Sequence, residues 1–166
     1  MPSDNPPITI RRAGPADEAA VLDLLEAAAA WLWARGVRQW QPGSFTAAAQ
    51  GVAVPGRVAY LAEVGGQPVG TFALQWADPD VWGARPPDAG YLHSLAVARA
   101  YAGQGVGAAL LDAAAAQVRA AGRTYLRLDC WAGNAMLRGY YAGLGFTPLG
   151  EAPVATFRVA LFERAV

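Results

Sequence analysis

The stretch Tyr91–Asp112, YLHSLAVARAYAGQGVGAALLD, constrains this chain more than any other. Tyr91-Leu92-His93-Ser94-Leu95-Ala96-Val97 is apolar, with the aromatic and branched residues that suit a pleated strand. Gly103-Gln104-Gly105-Val106-Gly107 follows, and Ala108-Ala109-Leu110-Leu111 opens a long alanine-rich run that reads as a helix. Glycines just ahead of a helix let the backbone turn tightly and aim several N–H groups at one point. With the positive end of the helix dipole those donors form an anion site, most often for phosphate. The turn is read here as the seat of a coenzyme pyrophosphate. Two other readings fit the local pattern. Such a turn can be a plain tight connection. Gly103, Gly105 and Ala108 also match the dinucleotide fingerprint G-x-G-x-x-A, with Asp129 near the end of the next strand, where a ribose-binding acid would sit.

Composition narrows the choice. A chain of 166 residues suffices for one domain, 1–166, with a proper core. At 54% hydrophobic and 16% charged it is globular in character. No apolar run reaches membrane-spanning length, so no membrane partner is expected. MPSDNPPITI lacks the basic and apolar regions of a signal peptide, which favours the cytoplasm. The net charge is zero and no arginine-dense segment stands out, so no nucleic-acid partner is expected. All 13 basic residues are Arg, which with the abundant Ala and Gly reads as coding bias. Cys130 is the only cysteine, which excludes an intrachain disulfide and a cysteine zinc site; its apolar strand context marks an inert buried thiol. His93 is the only histidine, so multi-histidine metal sites are excluded and no metal is expected.

Taken in order, residues 1–7 read as a polar tail and Ile8–Arg12 as a first strand. A helix runs from the Gly14–Asp17 turn to about Arg35, with Val21, Leu22, Leu24, Leu25, Ala28, Trp31 and Leu32 on its broad apolar face. Ser44 is placed to cap a short helix through Ala47–Gln50. Trp31, Trp33 and Trp40 either pack this helix onto the sheet or wall an acceptor site, where a ring face attracts a cationic amine. Arg57–Glu63 and Pro68–Trp76 form strands joined by a Gly65-Gly66 hairpin turn, and 77–89 is a loop. After the organising strand and its helix, which ends at Gly122, come a strand over Thr124–Cys130 and a short helix from Asn134 to about Leu144. Two last strands close the chain, one after Phe146 and one over Thr156–Arg164. That order predicts an α/β (α+β) domain: a mixed, mostly antiparallel, twisted sheet of about seven strands with helices on both faces.

This architecture opposes the NAD reading. In a doubly wound nucleotide domain the glycine turn follows the first strand, whereas here about four strands precede it and only about sixty residues remain. Three stretches in order instead resemble the GNAT superfamily of N-acetyltransferases. They are YLHSLAV with AGQGVG, similar to the coenzyme signature Q/R-x-x-G-x-G/A; YLRLDCWAGN; and Asn134 through Tyr141 to Gly145-Phe146, similar to N…YxxLGF. They cover about residues 91–147. One position departs: Ala102 stands where the signature has Gln or Arg, so a side-chain contact is lost while the backbone donors remain.

The resemblance implies acetyl-CoA as co-substrate and direct attack by a primary amine in a ternary complex, without an acyl-enzyme. The amine would belong to a small molecule, an amino acid derivative or a protein N-terminus. It implies a splay between the fourth and fifth strands. Backbone groups of Leu95, Ala96 and Val97 would pair with pantetheine, and amides of Ala102, Gly103, Gln104, Gly105, Val106, Gly107 and Ala108 would take the pyrophosphate. The Leu95 N–H would polarise the thioester carbonyl. Tyr141 falls at the general-acid position and touches the coenzyme, with Tyr140 a weaker candidate; packing is the plain alternative. For the base, His93 is the candidate because a histidine side chain titrates near neutrality and it lies two residues before Leu95, on the same strand face; Asp129, Glu63 and ordered water are alternatives, and so is a structural histidine. Asp129 either anchors the acceptor amine or ends a solvated strand. Asn134 either orients pantetheine or caps its helix. The acceptor region is expected around Trp31, Trp40, the 77–89 loop and Trp131. A non-catalytic acyl-CoA-sensing module of the same fold is the competing function, and a homodimer through an exposed final strand is possible on edge-strand grounds.

Overall fold

A computed structural model describes residues 6–166, so most of the expected N-terminal tail lies outside the described residues. The strands are β1 (Ile8–Arg12), β2 (Arg57–Val64), β3 (Gln67–Gln75), β4 (Ala89–Val97), β5 (Tyr125–Trp131), β6 (Thr147–Val154) and β7 (Phe157–Ala165). The helices are α1 (Glu18–Trp33), α2 (Ala47–Gln50), α3 (Pro79–Trp82), α4 (Val106–Ala120) and α5 (Ala135–Gly143). One seven-stranded sheet runs β1-β2-β3-β4-β5-β7-β6, antiparallel at every pair except β4–β5.

Strand alternation sorts the core into two layers. Ala62 and Val64 of β2 and Leu126, Leu128 and Cys130 of β5 face α4, whose Val106, Leu110, Leu111, Ala114 and Val118 are buried against them; Tyr141 of α5 joins this layer. Ala59 and Leu61, one residue out of phase on β2, face Val21, Leu24 and Leu25 of α1 on the opposite side. Period-2 strands meeting 3.6-period helices produce this two-sided burial, and it places Arg127 and Asp129 on the side away from Leu126, Leu128 and Cys130.

The seven strands, the helices on both faces and the splay at the parallel pair agree with the expectation. β4 and β5 pair only at Ala89–Tyr91 with Tyr125–Arg127; each strand then continues, to Val97 and Trp131, without its partner. Arg127 pins the point of divergence. It is buried, and its guanidinium donates to Glu163 Oε2 at 2.7 Å, Asp88 Oδ1 at 3.2 Å and the Tyr91 hydroxyl at 3.0 Å.

Three details differ. The 77–89 loop contains α3, whose four residues are too few for periodicity to show. Thr46, not Ser44, caps α2, its side chain accepting from the Ala49 N–H. The final strand is no edge: β7 lies between β5 and β6, because Val159, Ala160, Leu161 and Phe162 are all buried, the mark of a strand covered on both faces. The edge is β6, broken by Pro148 and Pro153 and charged at Glu151, features that discourage edge pairing. A dimer through the final strand is thereby set aside.

Replacing Arg127 by Ala leaves Glu163 and Asp88, both partly solvated, without their cation. The expected loss is about 2–3 kcal/mol, toward the low side of values for breaking a buried ion pair, measured by urea unfolding; a loss under about 0.5 kcal/mol would show that the junction does not depend on this side chain.

Candidate active site

The divergence of β4 and β5 opens a cleft of about 460 Å³. At one end is the glycine turn. Gly103 and Gly105 sit at φ of 74° and 84°, in the left-handed region that favours glycine, and Gly105 is the N-cap of α4. The N–H groups of Ala102 and Gln104 turn back to the carbonyls of Arg99 and Tyr101, whereas those of Gly103, Gly105, Val106, Gly107 and Ala108 have no backbone acceptor among the described residues. These five donors fall at the positive end of a fifteen-residue helix. Gly107 is glycine for a different reason: a Cβ there would collide with the Tyr140 hydroxyl.

Next along the cleft is a β-bulge. Ala73 lies opposite His93 and Thr71 opposite Ala96, so β4 carries one residue more than β3 in this interval, with Ser94 at φ 55°. Leu95 therefore has no ladder partner on β3, and it lies beyond the paired part of β5. The bulge also corrects the assumption that His93 and Leu95 share a strand face. Leu92, Leu95 and Val97 all pack toward α4, whereas His93 meets Asp78 and Asp129. Both residues still line the cleft, His93 from one wall and Leu95 from the other.

At the far end three polar side chains meet. Asp78, from the loop after β3, is buried, and its Oδ2 lies 3.1 Å from His93 Nε2. Their approach does not complete a hydrogen bond, and among the described residues these are the two buried side-chain polar atoms without one. Asp129 is the third member; one donor atom from each of the three falls within 4.8 Å of the others. Burial raises the Asp129 carboxyl to about 6, with the His93 charge opposing and Asp78 reinforcing the rise. Such a ring of donors suits an ammonium group.

Tyr141 enters from α5, wedged edge-on and tilted against Phe146 and Phe162 at ring separations of 5.9 and 5.7 Å. Burial holds its phenol well above the usual tyrosine range, so it stays protonated. Tyr141 is 4% exposed, yet it borders the cleft, so the proton it keeps can be offered there.

The remaining expected residues divide. Ala96, Val97, Ala102, Gly103 and Gly105–Ala108 line the cleft, as do Trp31, Trp40 and Asp129; Gln104 does not. Trp31 is not an open ring face, because the guanidinium groups of Arg35 and Arg99 lie 4.0 and 3.8 Å from its centroid. Trp131 is outside the cleft, lying against Gly133. Asn134 caps α5, its Oδ1 accepting from the Leu137 N–H while its Nδ2 donates to Gln39 Oε1 at 3.3 Å. Glu63 is bound to Arg11 at 2.9 Å, away from the cleft. Cys130 is fully buried and its thiol is pushed up to about 11 by that burial, an inert group as expected. Sequence reasoning missed Asp78 and Gln39, both in irregular segments; Gln39 Oε1 accepts the Trp131 N–H and so closes the free edge of β5.

The chain belongs to the Acetyltransferase (GNAT) family, whose sequence profile matches residues 25–146. It is 42% identical over 60 residues to the uncharacterized N-acetyltransferase YesJ of Bacillus subtilis, a match spanning 36% of this chain and 33% of that protein. Its fold is similar to a GNAT-family acetyltransferase from Listeria monocytogenes, with a TM-score of 0.75 and 24% identity over 96% of this chain and 95% of the other. It is equally similar, with the same TM-score, coverage of 96% and 95%, and 19% identity, to the aminoglycoside acetyltransferase AAC(6')-Ib in complex with coenzyme A and kanamycin.

The raised carboxyl of Asp129 has a consequence for stability. An acid that holds its proton more tightly when folded contributes stability below its unfolded value of about 4 and loses it as pH rises through about 6. Asp129→Asn should therefore stabilise the fold by about 1–2 kcal/mol near pH 7.5 and change little near pH 4, compared by urea unfolding at the two pH values.

Proposed function

We propose that the protein transfers an acetyl group from acetyl-CoA to a primary amine, by direct attack in a ternary complex. One observation carries this reading: strands β4 and β5 separate beside five unpaired N–H groups, leaving a slot with a phosphate-suited end and a carboxylate-lined end. The amides of Gly103 and Gly105–Ala108 would bind the pyrophosphate. Pantetheine would take the place of the missing strand beside Leu95, Ala96 and Val97. The Leu95 N–H, at the bulge, would polarise the thioester carbonyl, where negative charge develops as the amine attacks. Family membership and the coenzyme A held by an aminoglycoside acetyltransferase of the same fold support acetyl-CoA as donor.

His93 takes a proton from the acceptor ammonium, which Asp129 holds, and the freed lone pair attacks the carbonyl carbon. As the C–S bond breaks, the sulfur leaves with the electron pair and takes the Tyr141 phenol proton, and the second proton of the new amide nitrogen returns to the Tyr141 oxygen. The acceptor is a small amine, an amino acid derivative or a protein N-terminus entering past Trp40. Among the described residues no helix is long and apolar enough to cross a membrane.

Calorimetric titration with acetyl-CoA, followed by a panel of amines with free-thiol detection, tests this directly. Gly105→Val should weaken coenzyme binding at least tenfold, since a β-branched residue resists φ of 84°. Tyr141→Phe should lower kcat about a hundredfold with little change in coenzyme affinity. Full turnover by Tyr141→Phe at saturating substrates would remove it as the acid. Coenzyme binding without thiol release across the whole panel would point instead to an acyl-CoA-sensing module.

A further inference from the structure

We infer that Asp78 is the positioning residue for His93: its buried carboxylate fixes the neutral ring as the Nε2–H form, directs that N–H to Asp78, and leaves Nδ1 to receive the acceptor's proton. This rests on the reading of His93 as the base.

Burial and proton accounting carry the argument. Asp78 Oδ2 and His93 Nε2 are both sealed from solvent, 3.1 Å apart, and each lacks any other hydrogen-bond partner among the described residues. A neutral imidazole has one N–H and one lone pair. With the proton on Nδ1, a lone pair would face a carboxylate oxygen across 3.1 Å and both buried atoms would stay unsatisfied, a costly arrangement. With the proton on Nε2, a small ring rotation satisfies both at once. Nδ1, absent from the sealed atoms, then carries the free lone pair on a ring that borders the cleft. Asp78 itself lies behind His93 and does not line the cleft, so it acts only through the ring. When Nδ1 accepts the proton, the imidazolium faces a buried carboxylate that stabilises it, the division of labour seen in aspartate–histidine pairs generally.

The surrounding charges fit this assignment. Asp129 faces the same ring, Tyr141 lines the same cleft from α5, and the Asp78 charge acts on the Arg57 guanidinium. Asp129 lines the cleft while Asp78 lies behind the ring, and burial pushes Asp129 toward its protonated form. The two acids therefore divide the work, Asp78 holding the ring and Asp129 meeting the acceptor.

His93 is the only histidine in the chain, so every imidazole signal in a nuclear magnetic resonance spectrum belongs to it. Long-range 1H–15N spectra of the uniformly labelled full-length protein, recorded with the ring neutral, should show the Nε2–H form; the Nδ1–H form overturns the inference. In Asp78→Asn and Asp78→Ala the titration of the His93 Cε1 proton should move to lower pH by about one pH unit or more, because a carboxylate within a few ångströms favours the charged ring. An unmoved titration in a variant whose amide spectrum is otherwise preserved also overturns it. If neither variant folds, the tautomer of the unaltered protein decides alone. These readouts need no acceptor, so they stand apart from the base assignment: His93→Gln turning over at the parental rate would remove His93 from catalysis without touching the Asp78 pairing.

Discussion

Two parallel strands share hydrogen bonds for three residues and then part, and the rest of the molecule depends on that parting. β4 and β5 are held together at Ala89–Tyr91 and Tyr125–Arg127, where Arg127 ties β5 to the Tyr91 hydroxyl, to Asp88 and to Glu163. Beyond that junction each strand keeps its outer neighbour, β3 on one side and β7 on the other, so the sheet stays whole while a slot opens at its middle. Unpaired backbone groups in such a slot are costly unless something pairs with them. At Trp131 the partner is Gln39; Leu95, in the bulge, has no register partner on β3.

The two ends of the slot carry opposite electrostatic character. The α4 layer brings the helix N-terminus with its N–H groups. His93 and Asp129 line the other end, with Asp78 behind the His93 ring. Tyr141 belongs to the α4 layer through Phe146 and Phe162 but reaches the slot between the two ends. Burial acts on both acids in one direction, keeping the Tyr141 phenol protonated and raising Asp129 toward neutrality. The same desolvation thus sustains a proton donor and a tunable carboxylate a short distance apart, at some cost to the stability of the fold.

What was legible in the chain was local. Gly103 and Gly105 announced a turn because positive φ is a property of a single residue, and Asn134 announced a helix start because a cap bonds three residues ahead. Strand and helix order followed from periodicity. The bulge at Ser94 left no such mark: it is a mismatch between two strands, and neither strand alone records it. Asp78 was hidden among other acids and prolines of an irregular loop, and only its burial beneath His93 distinguishes it. The two arginines that engage Trp31 come from positions 35 and 99, and the second contact joins segments far apart in the chain.

The amino-acid order by itself determined the phosphate-suited turn, the alternation that splits the core into two layers and the inert character of Cys130, because each depends on neighbours within a few residues. It also determined a β6 whose outer edge discourages further pairing, through Pro148 and Pro153. Tertiary structure alone decided that β7 turns inward, that His93 and Leu95 face opposite sides of β4, and that Asp78 stands behind the ring of His93. Those outcomes depend on burial and on register between segments tens of residues apart, and desolvation energy is a property of the assembled surroundings, not of any residue in them.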